Sequence, residues 1–180
     1  LEDVKTIYRG TLRRTGYSRT WDTFVQLGAT DDTYTMHNTE NMTYRDFINS
    51  FLYYHPSDSV EIKLALYMKW DLDSEEMYRL KWLGIFDNNK KVGLKTATPA
   101  QILQKILEEK WTLEPDDKDM LVMWHKFNYI INDTPYELHS SMVTVGEDLL
   151  HTAMAKTVGL PLAIAAKLIL NKKINLTGVH

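Results

Sequence analysis

Apolar residues recur at helical spacing through the middle of the chain, between residues 43 and 111. Ile102 and Ile106 illustrate this pattern, because positions four apart lie on one face of a helix. Thr98 precedes the segment and Gln101 follows three residues later, which is the spacing of a capping box. Comparable patterns predict three further helices, over residues 44–52, 58–68 and 74–83. The middle of the chain is therefore predicted to be an all-helical module.

Side-chain oxygens mark the starts of two of these helices. Thr43 is followed three residues later by Asp46, and Asp73 is followed by Glu76. An oxygen at that position accepts a hydrogen bond from an unpaired backbone amide of the first turn. Gly84 is predicted to end the second of these helices. The module contains no constellation of catalytic residue types.

The beginning of the chain is predicted to form a strand and a short helix. Residues 4–13 are rich in β-favouring side chains, which predicts the strand. The helix is predicted over residues 18–27, with Gly28 ending it. Its expected buried side carries Trp21, Phe24, Val25 and Leu27.

Residues 119–131 combine aromatic and β-branched side chains, a composition typical of a strand. Asn132 to Pro135 then form a turn signal, and a second extended segment follows as far as Gly146. The pattern predicts a β-hairpin near the end of the chain.

The segment from Thr152 to Leu170 is rich in alanine and other small apolar residues. An element that is apolar on most sides has to be covered, so we expect it to pack against the sheet. Gly159 and Pro161 interrupt it, and a proline inside a helix removes one backbone hydrogen bond. The segment is predicted to be either one kinked helix or two short helices.

Together these elements predict an α+β fold of α/β type. A β-hairpin and a strand of a mixed sheet are backed by the small-residue helix, with the all-helical module inserted between them. The predicted division assigns residues 1–42 to the first part of an α/β domain and 43–117 to the helical domain. Residues 118–180 form the second part of the α/β domain.

Composition narrows the class of protein. The chain has 180 residues, of which 44% are hydrophobic and 25% charged, so it is long and apolar enough for a globular core. Its formal charge of −3 offers no basic footprint for nucleic acid. It has no cysteine, which excludes disulfides and thiolate metal sites. The longest uncharged apolar run is shorter than the ~20 residues of a transmembrane helix, so no membrane association is expected. Both chain ends resemble cuts from a longer sequence.

Histidines and serines of the hairpin region are weak candidates for chemistry. His125, His139 and His151 are the possible metal ligands, but no carboxylate lies at ligand spacing beside them. On the predicted hairpin His125 lies near Met142, so the two hairpin histidines do not face each other. Ser140 and its neighbour lack the sharp turn of an activated serine. We therefore predict no metal site and no catalytic residue here.

Arginines near the beginning of the chain are stronger candidates. Alternation along the predicted strand places Arg9 and Arg13 on one face, with Thr11 between them. A planar guanidinium binds both oxygens of a carboxylate at once, so this pair suits carboxylate binding. Solvent-facing arginines on an edge strand are the alternative. The chain has no Gly-x-Gly-x-x-Gly loop, and hence no evident dinucleotide site.

Three segments resemble the saccharopine dehydrogenase family. They are TIYRGTLRRTGYS at residues 6–18, DMLVMWHKF at 119–127 and TAMAKTVGLPLAIAAKLIL at 152–170. The resemblance implies a three-part enzyme: an NADP-binding Rossmann domain, an α/β substrate-binding and dimerisation domain, and a small helical domain. This chain would be its C-terminal portion, with NADP(H) bound mainly outside it.

The resemblance also implies the reaction and the substrate-binding residues. In the family, the secondary amine of saccharopine is oxidised to an imine, which hydrolyses to glutamate and α-aminoadipate semialdehyde, while hydride passes to NADP. The GTLR motif implies that Thr11, Leu12 and Arg13 bind substrate, with Arg13 on a carboxylate. Arg14 departs from the family pattern, which has tyrosine there. A cytoplasmic homodimer of lysine metabolism is expected.

Two alternatives remain at this stage. The parent protein could be a related imine reductase of the carboxynorspermidine or opine-forming type, because a fold does not decide the substrate. It could also be a dimerisation module without catalytic activity.

Overall fold

The computed structural model describes residues 4–178 of the chain. Its helices and strands, in chain order, are α1 (Tyr17–Leu27), β1 (Met36–His37), α2 (Tyr44–Asn49), α3 (Val60–Met68), α4 (Glu75–Leu83), β2 (Thr96–Ala97), α5 (Pro99–Trp111), β3 (Met120–Ile131), β4 (Thr134–Val145) and α6 (Ala153–Leu170). The predicted α+β class is confirmed. The strands pair as two separate antiparallel sheets, β1 with β2 and β3 with β4, rather than in a mixed sheet.

The chain divides into two compact units, which we describe separately. One comprises residues 6–112 and contains α1 to α5; the other comprises residues 113–178 with residues 4–5 and contains the hairpin and α6.

Side-chain caps fix the helix starts of the first unit. The Thr43 and Thr98 hydroxyls accept hydrogen bonds from the amides of Asp46 and Gln101, and both capping boxes are complete, as predicted. The predicted Asp73 cap is wrong. Ser74 occupies the cap position instead, where its extended backbone lets the hydroxyl accept from the Met77 amide at 3.3 Å.

The helices of the first unit enclose one apolar core. Its largest fully buried side chains include Phe24, Phe47, Leu64, Leu80 and Ile106. The prediction that Val25 lies on the buried side of α1 is wrong, because the core-facing stripe runs through Thr20, Thr23, Phe24 and Leu27. Since α1 packs against α4, it belongs to the helical core although its residues fall in the predicted segment 1–42. The division at residues 42 and 117 stays a prediction.

The predicted strand over residues 4–13 is wrong. These residues have no regular secondary structure and are exposed. A strand needs a neighbour for its amides and carbonyls, and no strand of residues 4–178 pairs with this segment. Favourable β-propensity alone does not supply that neighbour.

The β3–β4 hairpin is confirmed, with a shorter turn than predicted. Asn132 and Asp133 both have positive φ, of 48° and 61°, as a two-residue type I′ turn requires. The strands therefore begin pairing at once, and His125 lies opposite Ser140 rather than near Met142. The shift is two residues, so every side chain keeps its predicted face.

Helix α6 is one continuous helix with Pro161 inside it. Its N-terminus is capped by the Thr152 hydroxyl, which accepts from the Ala155 amide at 3.0 Å. Ala153 is its one buried residue, so the expected cover is not supplied by the described part of the chain. By length and a mean hydropathy of 1.6 the helix meets the criterion for a membrane span, while Lys156 and Lys167 keep its uncharged run as short as predicted. Helices of soluble cores pass the same test.

Candidate functional site

Thr11, Leu12 and Arg13 lie in the exposed, irregular segment that precedes α1. The Leu12 side chain is 71% exposed. Arg13 donates to the Leu12 carbonyl at 2.8 Å, and its guanidinium carbon lies 5.5 Å from the centre of the Tyr17 ring. A cation at that distance from an aromatic ring is attracted to its face. Arg13 is therefore held against the first turn of α1.

Arg13 lines a shallow, open cleft on the surface of the first unit, with a volume of ≈ 550 Å³. Most of the residues around it are charged: Arg13, Arg14, Arg19, Arg79, Glu75 and Glu76. The uncharged ones are Thr15, Gly16 and Ser18. Four guanidinium groups and two carboxylates give the lining a formal charge of +2. The cleft lies where the start of α1 meets α4.

Two of the four arginines have carboxylate partners. Arg19 pairs with Glu76 at 3.1 Å, and Arg79 pairs with Glu75 at 3.2 Å. Within residues 4–178 neither Arg13 nor Arg14 forms an ion pair. The cleft thus retains guanidinium groups that can donate hydrogen bonds to a carboxylate of a ligand.

The predicted pairing of Arg9 with Arg13 is wrong, because it depended on strand alternation in residues 4–13. Arg9 does not line the cleft, whereas Arg14, which directly follows Arg13, does. Sequence analysis also missed Arg19 and Arg79, which reach the cleft from helices. Neither carries a local signal, since a surface arginine on an amphipathic helix is the ordinary case.

An aromatic stack lies behind Arg13. The rings of Tyr17 and Trp21 are stacked with centres 6.0 Å apart, and Trp21 stacks on Trp111 at 5.9 Å. Phe24 meets Trp21 edge to face and connects the stack to the core. The stack restrains the Tyr17 ring on which Arg13 rests, and it places two tryptophans near the cleft.

A family model matches residues 1–180, the whole chain, and it describes the saccharopine dehydrogenase C-terminal domain. This chain belongs to that family. The predicted resemblance is thereby confirmed, including its assignment to the C-terminal portion.

The curated relatives are longer than this chain. The mitochondrial alpha-aminoadipic semialdehyde synthase of Rattus norvegicus is 31% identical over 99% of this chain and 20% of its own length. The NADP(+)-dependent, L-glutamate-forming saccharopine dehydrogenase of Schizosaccharomyces pombe is 28% identical over 99% of this chain and 41% of its own. The chain therefore spans between a fifth and two fifths of these relatives.

A solved structure agrees with the fold. The structure of apo histidine-tagged saccharopine dehydrogenase (L-Glu forming) from Saccharomyces cerevisiae matches with a TM-score of 0.70 and 26% sequence identity. The match covers 95% of this chain and 39% of the yeast chain.

The family to which this chain belongs is the C-terminal domain, which is not the nucleotide-binding part of saccharopine dehydrogenase. The sequence of this chain has no Gly-x-Gly-x-x-Gly motif. Of the glycines with positive φ, Gly28 and Gly84 end helices, and Gly16 precedes α1 without a second glycine near it in the sequence. The residues present do not fit NADP, and the cofactor is expected to bind elsewhere.

Two of the segments that carry the family resemblance meet in the second unit. The Asp119 carboxylate accepts hydrogen bonds from the Ala153 and Met154 amides, at 2.6 and 2.9 Å, and caps α6. These bonds hold the pKa of Asp119 below its ordinary value, because they favour the charged form. The start of the hairpin is thereby fixed to the start of α6.

Two histidines of this unit pair with carboxylates on the surface. His139 lies 2.8 Å from Glu137, and His151 lies 2.9 Å from Asp148. The backbone amide and ring of His151 lower the pKa of Asp148 to about 2. In the described part of the chain, no three such side chains are close enough to hold a metal ion.

Proposed function

We propose that this chain is the substrate-binding and dimerisation part of a saccharopine dehydrogenase. The enzyme would interconvert saccharopine with L-glutamate and α-aminoadipate semialdehyde, using NADP(H), in lysine metabolism. The observation that carries the proposal is the arginine-lined cleft, which contains Arg13 of the family-like GTLR segment. The similarity to fungal saccharopine dehydrogenases that use NADP(+) and form L-glutamate supports it.

Within this proposal Arg13 binds a substrate carboxylate. Its planar guanidinium can donate two parallel hydrogen bonds to the two carboxylate oxygens. Tyr17 limits the positions that the guanidinium explores, so less conformational entropy is lost when the substrate binds. Thr11 and Leu12 precede Arg13 in the same exposed segment and do not line the cleft, so a hydroxyl or backbone hydrogen bond from Thr11 and an apolar contact from Leu12 rest on the GTLR resemblance alone.

Titration calorimetry of the full-length protein with saccharopine tests the proposal. We expect Arg13→Ala to weaken binding on the order of tenfold, the low end of the range for charge-assisted hydrogen bonds. Arg9→Ala is the matched control, because Arg9 lies in the same exposed segment and outside the cleft. Normal saccharopine binding by Arg13→Ala contradicts the role of Arg13.

Turnover assays separate the proposed enzyme from related imine reductases. NADPH oxidation is measured with glutamate and a series of aldehydes, including α-aminoadipate semialdehyde. We expect that semialdehyde to be the preferred partner. Oxidation with other aldehydes alone favours a different imine reductase, and no oxidation with any of them favours a non-catalytic module.

The homodimer is part of the same proposal. Apolar side chains on both faces of the hairpin and along α6 are exposed, including Trp124, Phe127, Val143, Leu162 and Ile164. Soluble monomers rarely expose apolar patches larger than a few hundred Å², so this surface is expected to bind another protein surface. Sedimentation of the full-length protein at micromolar concentration is expected to give a dimer; a monomer contradicts it.

Localisation and domain limits also remain proposals. A cytoplasmic, membrane-free protein is proposed, although the rat relative is named mitochondrial and α6 meets the length criterion for a span. Lys156 and Lys167 inside α6 weigh against burial in lipid. Vesicle flotation is expected to leave the full-length protein unbound.

We also retain 1–42, 43–117 and 118–180 as the domain limits, to be compared with the fragments from limited proteolysis.

A further inference from the structure

Arg79 reaches the cleft from α4, 66 positions after Arg13 in the sequence. Its guanidinium lies directly over the backbone of Gly16, at the start of α1. A Cβ atom at Gly16 would lie 2.9 Å from Arg79 Cζ, closer than real Cβ contacts occur. Gly16 also has a φ of +83°, which favours glycine. Glycine at position 16 therefore makes room for the Arg79 side chain.

The partner of Arg79 in this structure holds it weakly. Glu75 lies one helical turn earlier on α4, and its side chain is 76% exposed, against 37% for Arg79. Exposed pairs of this kind contribute little, because water screens them and long side chains lose entropy. A ligand carboxylate that also contacts Arg13 or Arg14 can therefore replace Glu75 at Arg79.

Saccharopine carries three carboxylates, so the single guanidinium of Arg13 cannot pair with all of them. We propose that Arg79 is a second carboxylate-binding residue of the cleft, positioned by Gly16. This inference rests on the proposed function, because it assigns a second contact to the same site. Arg79 then favours substrates with two or more carboxylates over those with one.

The Tyr17–Trp21–Trp111 stack supplies a direct readout. Tyr17 contacts Arg13, and Trp21 stacks on Tyr17, so a ligand at the cleft is expected to change tryptophan emission. Full-length protein is titrated with saccharopine, glutarate and butyrate, and calorimetry gives the same affinities independently.

We expect Arg79→Gln to weaken saccharopine and glutarate binding on the order of tenfold, the low end expected for hydrogen bonds to charged groups. The affinity for butyrate, which has one carboxylate, is expected to change less than twofold in Arg79→Gln. Arg79→Lys keeps the charge but loses the planar fork, so it restores only part of the affinity. Lys81→Gln is the control, since it makes the same charge change on α4 outside the cleft.

Gly16→Ala tests the positioning role. We expect it to weaken saccharopine binding as Arg79→Gln does, and the double variant to lose no more than either single one. Circular dichroism establishes that Gly16→Ala is folded; if it is not, Arg79→Gln and Arg79→Lys decide the question.

The outcomes separate this inference from the proposed function. Saccharopine binding that depends on Arg13 but is unchanged within twofold in Arg79→Gln overturns the inference alone. Equal loss of butyrate and glutarate affinity in Arg79→Gln also overturns it, because the effect is then general electrostatics. Absence of saccharopine binding by the unmodified protein overturns the proposed function itself.

Discussion

Replacement of Gly146 by alanine is expected to destabilise the unit formed by the hairpin and α6. Gly146 is buried at the open end of the hairpin, and its amide donates to the Asp119 carbonyl at 2.8 Å. A Cβ atom there would lie 3.0 Å from the Ala153 nitrogen and 3.1 Å from the Thr152 Cα, and it would collide with an Asp119 carboxylate oxygen. The Asp119 carboxylate can move away only by giving up its hydrogen bonds to the start of α6, and the two backbone neighbours are tighter than ordinary contacts.

The expected magnitude follows from two opposing contributions. Overpacking of a filled site costs typically about 1–3 kcal/mol. Restricting the unfolded chain by replacing glycine with alanine contributes about 0.4–1 kcal/mol in the opposite direction. The net loss in the free energy of unfolding is therefore on the order of 1–2 kcal/mol for Gly146→Ala.

Gly159→Ala is the matched control in the same unit. Gly159 lies inside α6, and a Cβ atom there would have no neighbour within 4 Å. Since alanine is the better helix former by about 1 kcal/mol, Gly159→Ala is expected to raise the free energy of unfolding. Chemical denaturation followed by Trp124 fluorescence measures both variants. A Gly146→Ala protein as stable as the unmodified one refutes the argument that the Asp119 contact leaves no room at position 146.

Two further predictions concern the helical unit. The Lys90 ammonium and the Tyr44 hydroxyl hold the pKa of Glu109 below its ordinary value, so its charge stabilises the fold above about pH 4. Glu109→Gln should cost up to about 1 kcal/mol at pH 7, and the difference should shrink as pH falls through the lowered pKa of Glu109 in the folded protein; a difference that does not decrease at any pH below about 4 contradicts this. Leu80→Ala, at a fully buried side chain, should cost about 2–5 kcal/mol. Leu66 is 61% exposed, so Leu66→Ala should change the free energy of unfolding by less than about 0.5 kcal/mol. Urea denaturation measures both variants, and equal losses of stability in Leu80→Ala and Leu66→Ala would contradict the core assignment.

The sequence alone determined the features that depend on neighbours along the chain. Thr98 and Gln101 form their capping box because both partners lie within one helical turn. Asn132 and Asp133 form the turn because both residues tolerate positive φ. The family resemblance likewise rested on contiguous segments, and the family model confirmed it.

Only the tertiary structure decided which distant residues meet. Residues 4–13 have β-favouring side chains, but a strand also requires a neighbouring strand, and none of residues 4–178 supplies one. Alternation along that assumed strand paired Arg13 with Arg9. In the structure Arg13 instead shares a cleft with Arg79, which lies 66 positions away. The packing of α1 against α4 creates this neighbourhood, and the periodicity of each helix shows only which of its faces is buried. The GTLR segment points to Arg13, but nothing in either segment indicates that Arg13 and Arg79 share a cleft.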